Sequence, residues 1–296
     1  MFNMLHGECY KLKKCKSFYI CIAVVTIFAA LLYGSLDLLD SIQQMEVEVM
    51  KGDTGEEAVE AEMEAGVSGG LEVNSDVELE LDEEEPISFK EQIGIIGVVE
   101  QMFASNLVGF AIAIFISIFV IGEYGNGTMK NLVGKGYSRD MVFLSKLLAA
   151  VFSAALMSLL ITALTVLLGL PFMGSQGFAA LDWKDLAAYT GMQLAFVVSY
   201  TSVAVMIGEV TRSLAAGISL NMAILCFSTT ATGLLDLFLD KYHIEISKFW
   251  ILDLQAKCPV SDLGQEFAIR GLLVSLGWFL LAAGLGLLHF KKRDVK

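Results

Sequence analysis

LLAAVFSAALMSLLITALTVLLGL, Leu147 to Leu170, contains no Asp, Glu, Lys, Arg or His. It exceeds the about 20 residues that an α-helix needs to cross a hydrocarbon core roughly 30 Å thick. Lipid offers backbone groups no partner, so such a run must satisfy its own amides and carbonyls as a helix. Five further runs share the property: Ser17–Leu36, Phe103–Gly122, Leu186–Gly208, Ser213–Leu235 and Gly271–Leu288. The composition agrees, with 55% hydrophobic and 18% charged residues and a mean hydropathy of +0.65, whereas a soluble domain carries about a quarter charged residues. The chain therefore reads as an all-α membrane protein with six transmembrane helices, at residues 17–36, 103–122, 147–170, 186–208, 213–235 and 271–290.

The first run follows Lys11, Lys13, Lys14 and Lys16, and a cleaved signal peptide is its competing reading. The run is longer than the apolar core of a signal peptide, and Tyr33-Gly34-Ser35-Leu36 is a poor cleavage site, so it reads as an uncleaved span. The remaining cations set the orientation. Lys130, Lys135, Arg139 and Lys146 lie between spans 2 and 3, Arg212 between spans 4 and 5, and Lys291, Lys292, Arg293 and Lys296 after span 6. Six spans put all four groups on one side, which the positive-inside rule makes cytoplasmic. Both termini are then cytoplasmic, and residues 37–102 form a large acidic extracellular segment.

Much of the net charge of −13 lies in that segment, including Glu56, Glu57, Glu60, Glu62, Glu64 and the run Asp82-Glu83-Glu84-Glu85. Like charges with few aromatic residues read as a solvated, mobile segment. A second reading is an electrostatic collector for cationic ligands. Alternating Leu71, Val73, Val77, Leu79 and Leu81 permit a short strand.

Between spans 2 and 3 stands EYGNGTMKNLVGKGYSR, Glu123 to Arg139. Its glycines and lysines invite a phosphate-loop reading, but Gly136 follows Gly134-Lys135, and Met129 stands where the first glycine belongs. The connection, residues 123–146, is longer than a hairpin requires. Thr128–Val133 can form a short helix, with Gly125 and Gly127 before it and Gly134 and Gly136 after it. Asn126 or Thr128 would cap its first turn, and Glu123 suits its positive end. A short helix held off the membrane on flexible glycines suits docking into another protein; the plainer reading is a basic turn.

Glu123, Gly127-Thr128, Lys130, the group Gly136-Tyr137-Ser138-Arg139, and Lys146 resemble the first cytoplasmic loop of ATP-binding cassette (ABC) permeases of the type-2 exporter class. Many relatives have proline where this chain has Gly136 or Tyr137. The resemblance implies that the loop inserts into a separate ATPase subunit, with Glu123, Gly127, Thr128, Lys130, Ser138 and Arg139 as the docking surface. It also implies an amphipathic helix along the inner leaflet over residues 1–16. There Leu5, Cys9 and Leu12 share one face while Lys11 and Lys14 face the headgroups. Residues 236–270 would dip back as short re-entrant helices; Trp250 as an interfacial anchor is the competing reading.

Other chemistry is sparse. Five cysteines, Cys9, Cys15, Cys21, Cys226 and Cys258, form no metal or disulfide framework, and His6, His243 and His289 lie on different segments. The sequon Asn126-Gly127-Thr128 falls on the cytoplasmic side and is read as chance. A secondary transporter or channel is the rival function, but such proteins usually carry ionisable residues within their spans. Asn221, Ser228, Thr229 and Thr230 are candidates to line a path, and hydrogen bonding between helices explains them equally. A membrane enzyme would need a convergent set of acids, bases or ligands, which the sequence does not assemble.

The expectation is thus the permease subunit of an ATP-driven exporter in the cytoplasmic membrane. No cofactor is expected in this chain, with ATP and Mg held by the partner ATPase. Expected partners are two ABC ATPase subunits, a second permease copy or a homologous permease, and membrane lipids, with no nucleic acid. The resemblance leaves the cargo open among lipids, glycans, drugs and peptides; by analogy, acidic outer segments accompany export of antimicrobial peptides.

Overall fold

Helices are the solution that lets an apolar run satisfy its backbone in lipid, and they dominate the structure. The computed structural model describes residues 2–65, 89–125, 138–242, 245–261 and 263–292, and among these every regular element is helical. Six helical stretches are long and apolar enough to cross a membrane. They are Lys16–Met45 (span 1), Leu107–Tyr124 (span 2), Arg139–Gly174 (span 3), Trp183–Thr211 (span 4), Leu214–Tyr242 (span 5) and Gln265–Lys292 (span 6).

The helices overrun the apolar runs that seed them. Span 1 belongs to a helix over Lys16–Ala65, which carries on past Leu36 into the acidic segment expected to be solvated and mobile. Residues 56–65 are mostly Glu, Ala and Met, all strong helix formers, so the charge does not end the helix. The strand considered over Leu71–Leu81 lies outside the described residues. Span 2 starts later than expected. Phe103 and Ala104 end a separate helix, Phe89–Ala104, and Asn106 then adopts a left-handed conformation (φ 59°) before Leu107. Asparagine is one of the few residues that tolerate this backbone. Glycines at φ 61° (Gly94) and 68° (Gly174) kink the helices Phe89–Ala104 and Arg139–Ala179; both angles lie where a Cβ is disfavoured.

Span 4 is the most buried of the six and packs chiefly on span 6, then on span 3. A Cβ at Gly271 of span 6 would run into Met192 and come within 3.2 Å of Phe196, both on span 4. The missing side chain is what lets the two backbones approach. Span 5 is the least buried, and its Gly217 abuts Ile121 of span 2. Spans 1 and 3 are joined by the Tyr33 hydroxyl, which donates to the Thr165 carbonyl (3.1 Å), and by Tyr33 stacked on Phe172.

Two ends of this bundle differ in chemistry. At one, called here the loop end, lie the end of span 2 at Tyr124 and the start of span 3 at Arg139, the turn between spans 4 and 5, the end of span 6, and a helix over Phe2–Lys14 that packs on the span 3 helix. That first helix passes into span 1 at Cys15, whose N–H donates to Leu12 and whose carbonyl accepts from Phe18. Leu12 is buried, whereas the side chains of Leu5 and Cys9 lie outside the described residues. The far end carries the turn before span 4, capped by Asp182 accepting from the N–H groups of Lys184 (2.8 Å) and Asp185 (3.4 Å). It also carries the last turn of span 5, Asp240–Tyr242, and two short helical pieces after it, Ile246–Phe249 and Ile251–Ala256.

Candidate functional site

Charged side chains at a membrane edge are tolerable when they pair, and the loop end is where this chain pairs them. Glu123 leaves span 2 with one carboxylate oxygen accepting from the Lys11 amine (2.8 Å) and the other 2.5 Å from the Lys146 amine. Lys11 also reaches Glu8 at 3.0 Å. The Lys146 side chain is only 3% exposed and that of Glu123 12%, so in this quartet of two acids and two amines the buried core is Glu8, Glu123 and Lys146, with Lys11 at its solvent edge. It joins the Phe2–Lys14 helix, the end of span 2 and the second turn of span 3. Lys11, expected to face the headgroups, pairs with these two carboxylates. Burial alone would lower its pKa, but the hydrogen bonds to Glu123 and Glu8 and their charges outweigh this and hold it above its ordinary value.

A second contact sits beside the first. The Tyr124 phenol donates to the carboxylate of Glu209, which is fully buried at the end of span 4. The Arg212 guanidinium lies 5.4 Å and the Lys146 amine 5.7 Å from the centroid of the Tyr124 ring. Cations over an aromatic face are attracted by its quadrupole. Arg212 gains this position from a left-handed backbone (φ 49°), its N–H capping span 4 at Gly208.

The other root of the loop is fastened to span 6. Arg139 donates to the Lys291 carbonyl (3.2 Å), and the Lys291 amine pairs with Asp140 at 2.9 Å. Each charge stands where a helix dipole favours it, a cation at the end of span 6 and an acid at the start of span 3.

Of the docking candidates, Gly127, Thr128 and Lys130, with the helix expected over Thr128–Val133, lie outside the described residues. Glu123 and Arg139 engage this chain's own side chains and backbone, and Ser138 is exposed. The structure therefore separates the roots, which anchor, from the loop between them. Glu8, Tyr124 and Glu209 were missed, and Lys146 and Arg212 had been read only as topological or motif residues.

The path candidates do not converge. Asn221 is fully buried and donates to the Ser117 hydroxyl (3.1 Å), joining span 5 to a π-helical turn of span 2, Ser117–Ile121. Ser228 and Thr229 are half-buried and Thr230 exposed; the first two offer their carbonyls to Thr232. Thr232 also donates to Asp253 (2.6 Å), Gln193 to the Gln255 carbonyl (3.3 Å), and Trp278 to the Phe249 carbonyl (2.9 Å). The far-end segment is thus tied to spans 5, 4 and 6 in turn. Trp250 packs edge-on against Trp278, with ring centroids 4.9 Å apart, so its ring is engaged within the protein. Among the described residues no group of His, Cys, Asp and Glu has metal-binding spacing, and Cys15, Cys21, Cys226 and Cys258 are free thiols.

A family model described as ABC-2 family transporter protein matches residues 2–295. A comparison with curated proteins gives no match. Six apolar helices, ions confined to their ends and a match over nearly the whole length agree: the chain belongs to the ABC-2 transporter family, as a multi-pass membrane permease component of an ABC transporter in the cell membrane.

Proposed function

We propose that this permease serves an ATP-driven exporter, with the loop end cytoplasmic and residues 123–146 receiving the motion of a separate ATPase subunit. The observation that carries the reading is the fastening of both roots of the loop. Glu123 is bound to the first helix and to span 3, and Arg139 with Asp140 to span 6. A push on the loop between two such roots is delivered to three elements at once, because ion pairs and packed helices transmit displacement as rigid parts. A freely solvated turn would need none of these contacts. The ATPase would hold ATP and Mg, and a second permease, identical or homologous, would complete the pathway. A secondary transporter or channel remains the alternative, disfavoured by the absence of ionisable residues from the six apolar runs.

The test is disulfide or photo-cross-linking in membranes co-expressing the partner ATPase. A cysteine at Thr128 should cross-link to the ATPase, while one at Lys184, in the first turn of span 4, should not. Equal cross-linking from both positions, or from neither, would overturn the docking assignment.

A further inference from the structure

Away from the ionic network, the far end holds a cavity of about 460 Å³ between span 1 and the helix Phe89–Ala104. It is lined by Leu32, Ser35 and Leu36 of span 1 and by Ile93, Val98 and Glu100 of the facing helix. Leu36 and Val98 are buried, so the floor is a settled part of the fold rather than a surface dent. A volume of this order lies within the range of small-molecule sites, roughly 300–1,000 Å³.

Glu100 is the unusual member. Among the described residues it has neither an ion-pair nor a hydrogen-bond partner, whereas Glu245 and Glu266 at the same end pair with Lys248 and Arg270. Burial pushes its carboxyl above the usual glutamate value, and no neighbouring cation acts to lower it. A partly desolvated carboxylate is stabilised by a cation that arrives with its own apolar body, since the cation restores the charge pairing and the body covers the walls.

We propose that this groove binds a single-chain amphiphilic cation, its ammonium or equivalent group at Glu100 and its apolar part between Leu32, Leu36, Ile93 and Val98. A bilayer lipid fits less well, because its headgroup phosphate would stand beside Glu100. The site uses no residue of the loop end, so it stands or falls apart from the docking assignment.

The experiment is equilibrium binding of radiolabelled decyltrimethylammonium, below its micelle concentration, to the full chain in phosphatidylcholine nanodiscs, with empty nanodiscs subtracted. The ATPase is not needed. Saturable binding is expected, displaced by other alkylammonium ions and far less by decanol or decyl sulfate. Glu100→Gln should weaken it about tenfold, the usual scale for one charge-assisted contact. Ser35→Trp, which fills the groove and leaves Glu100 in place, should remove it. Glu266→Gln, an exposed acid at the same end, should bind as the unaltered chain does. Unchanged binding in both Glu100→Gln and Ser35→Trp would overturn the proposal, as would decanol competing as well as the cations. Full displacement of the probe when phosphatidylethanolamine replaces phosphatidylcholine would assign the groove to a lipid amine and overturn the choice of occupant.

Discussion

Lys146 is the residue on which the loop-end network turns. Its amine lies between the Glu123 carboxylate and the face of Tyr124, and its side chain is almost wholly buried. Removing one partner of a fully buried pair typically costs about 3–5 kcal/mol, because the other charge is left without compensation. Glu123 keeps Lys11, so Lys146→Met is expected to destabilise the chain by a smaller amount, about 2 kcal/mol. The double variant Lys146→Met with Glu123→Gln should lose less than the sum of the single losses, since residues in one network couple. Thermal unfolding of the four proteins in one detergent measures both quantities. A Lys146→Met chain as stable as the parent would mean that the amine is not held by this pairing.

At the level of elements, the helix Phe2–Lys14 is fastened by one titratable group that can be followed with pH. Lys11 has its pKa raised in the folded chain above the ordinary 10.5. A raised pKa contributes stability that is fully present below the unfolded value and is lost as pH rises through the folded one. A spin label at Lys13→Cys should therefore report the same mobility from about pH 7 to about pH 10 and become freer above that. In a Lys11→Met background it should be mobile throughout. Release between pH 7 and 9 would point to a different fastening. The helices themselves were legible in the sequence, because runs without an ionisable residue admit one structure in lipid. Their ends were not. Span 1 continues beyond Leu36 on helix-forming acids and alanines, and span 2 is cut short at Asn106 by a backbone angle that hydropathy does not register. The network was equally hidden, since Lys11 and Glu123 stand 112 positions apart and Tyr124 and Glu209 stand 85 apart. Nothing in the sequence marks which cation meets which acid; folding makes them partners.

For the whole molecule, the asymmetry of the two ends has a mechanical consequence. The loop end is joined by ion pairs among the first helix and spans 2, 3 and 6, whereas the far-end segment hangs from spans 4, 5 and 6 by hydrogen bonds. Motion received at one end can reach the other through span 6, which joins both sets. This reading requires the loop end to face the cytoplasm. In intact cells a membrane-impermeant thiol reagent should label Gly69→Cys and spare Gly134→Cys, each in a background freed of the native cysteines. Labelling of the second from outside would invert the orientation and remove the docking proposal with it. The sharper test lies in the loop itself. Lys130 lies in sequence between the roots at Glu123 and Arg139, among the residues outside the described structure. If the loop docks on an ATPase, Lys130→Glu should weaken co-purification of that subunit by about tenfold, equivalent to about 1.4 kcal/mol, while membrane insertion and thermal stability stay unchanged. Arg139 is a poorer probe, because its reversal would also release the end of span 6. Lys184→Glu, exposed in the first turn of span 4, supplies the matched control and should retain full association. If Lys130→Glu keeps as much ATPase as Lys184→Glu, the stretch between the roots is a solvated turn, and coupling must enter this permease elsewhere.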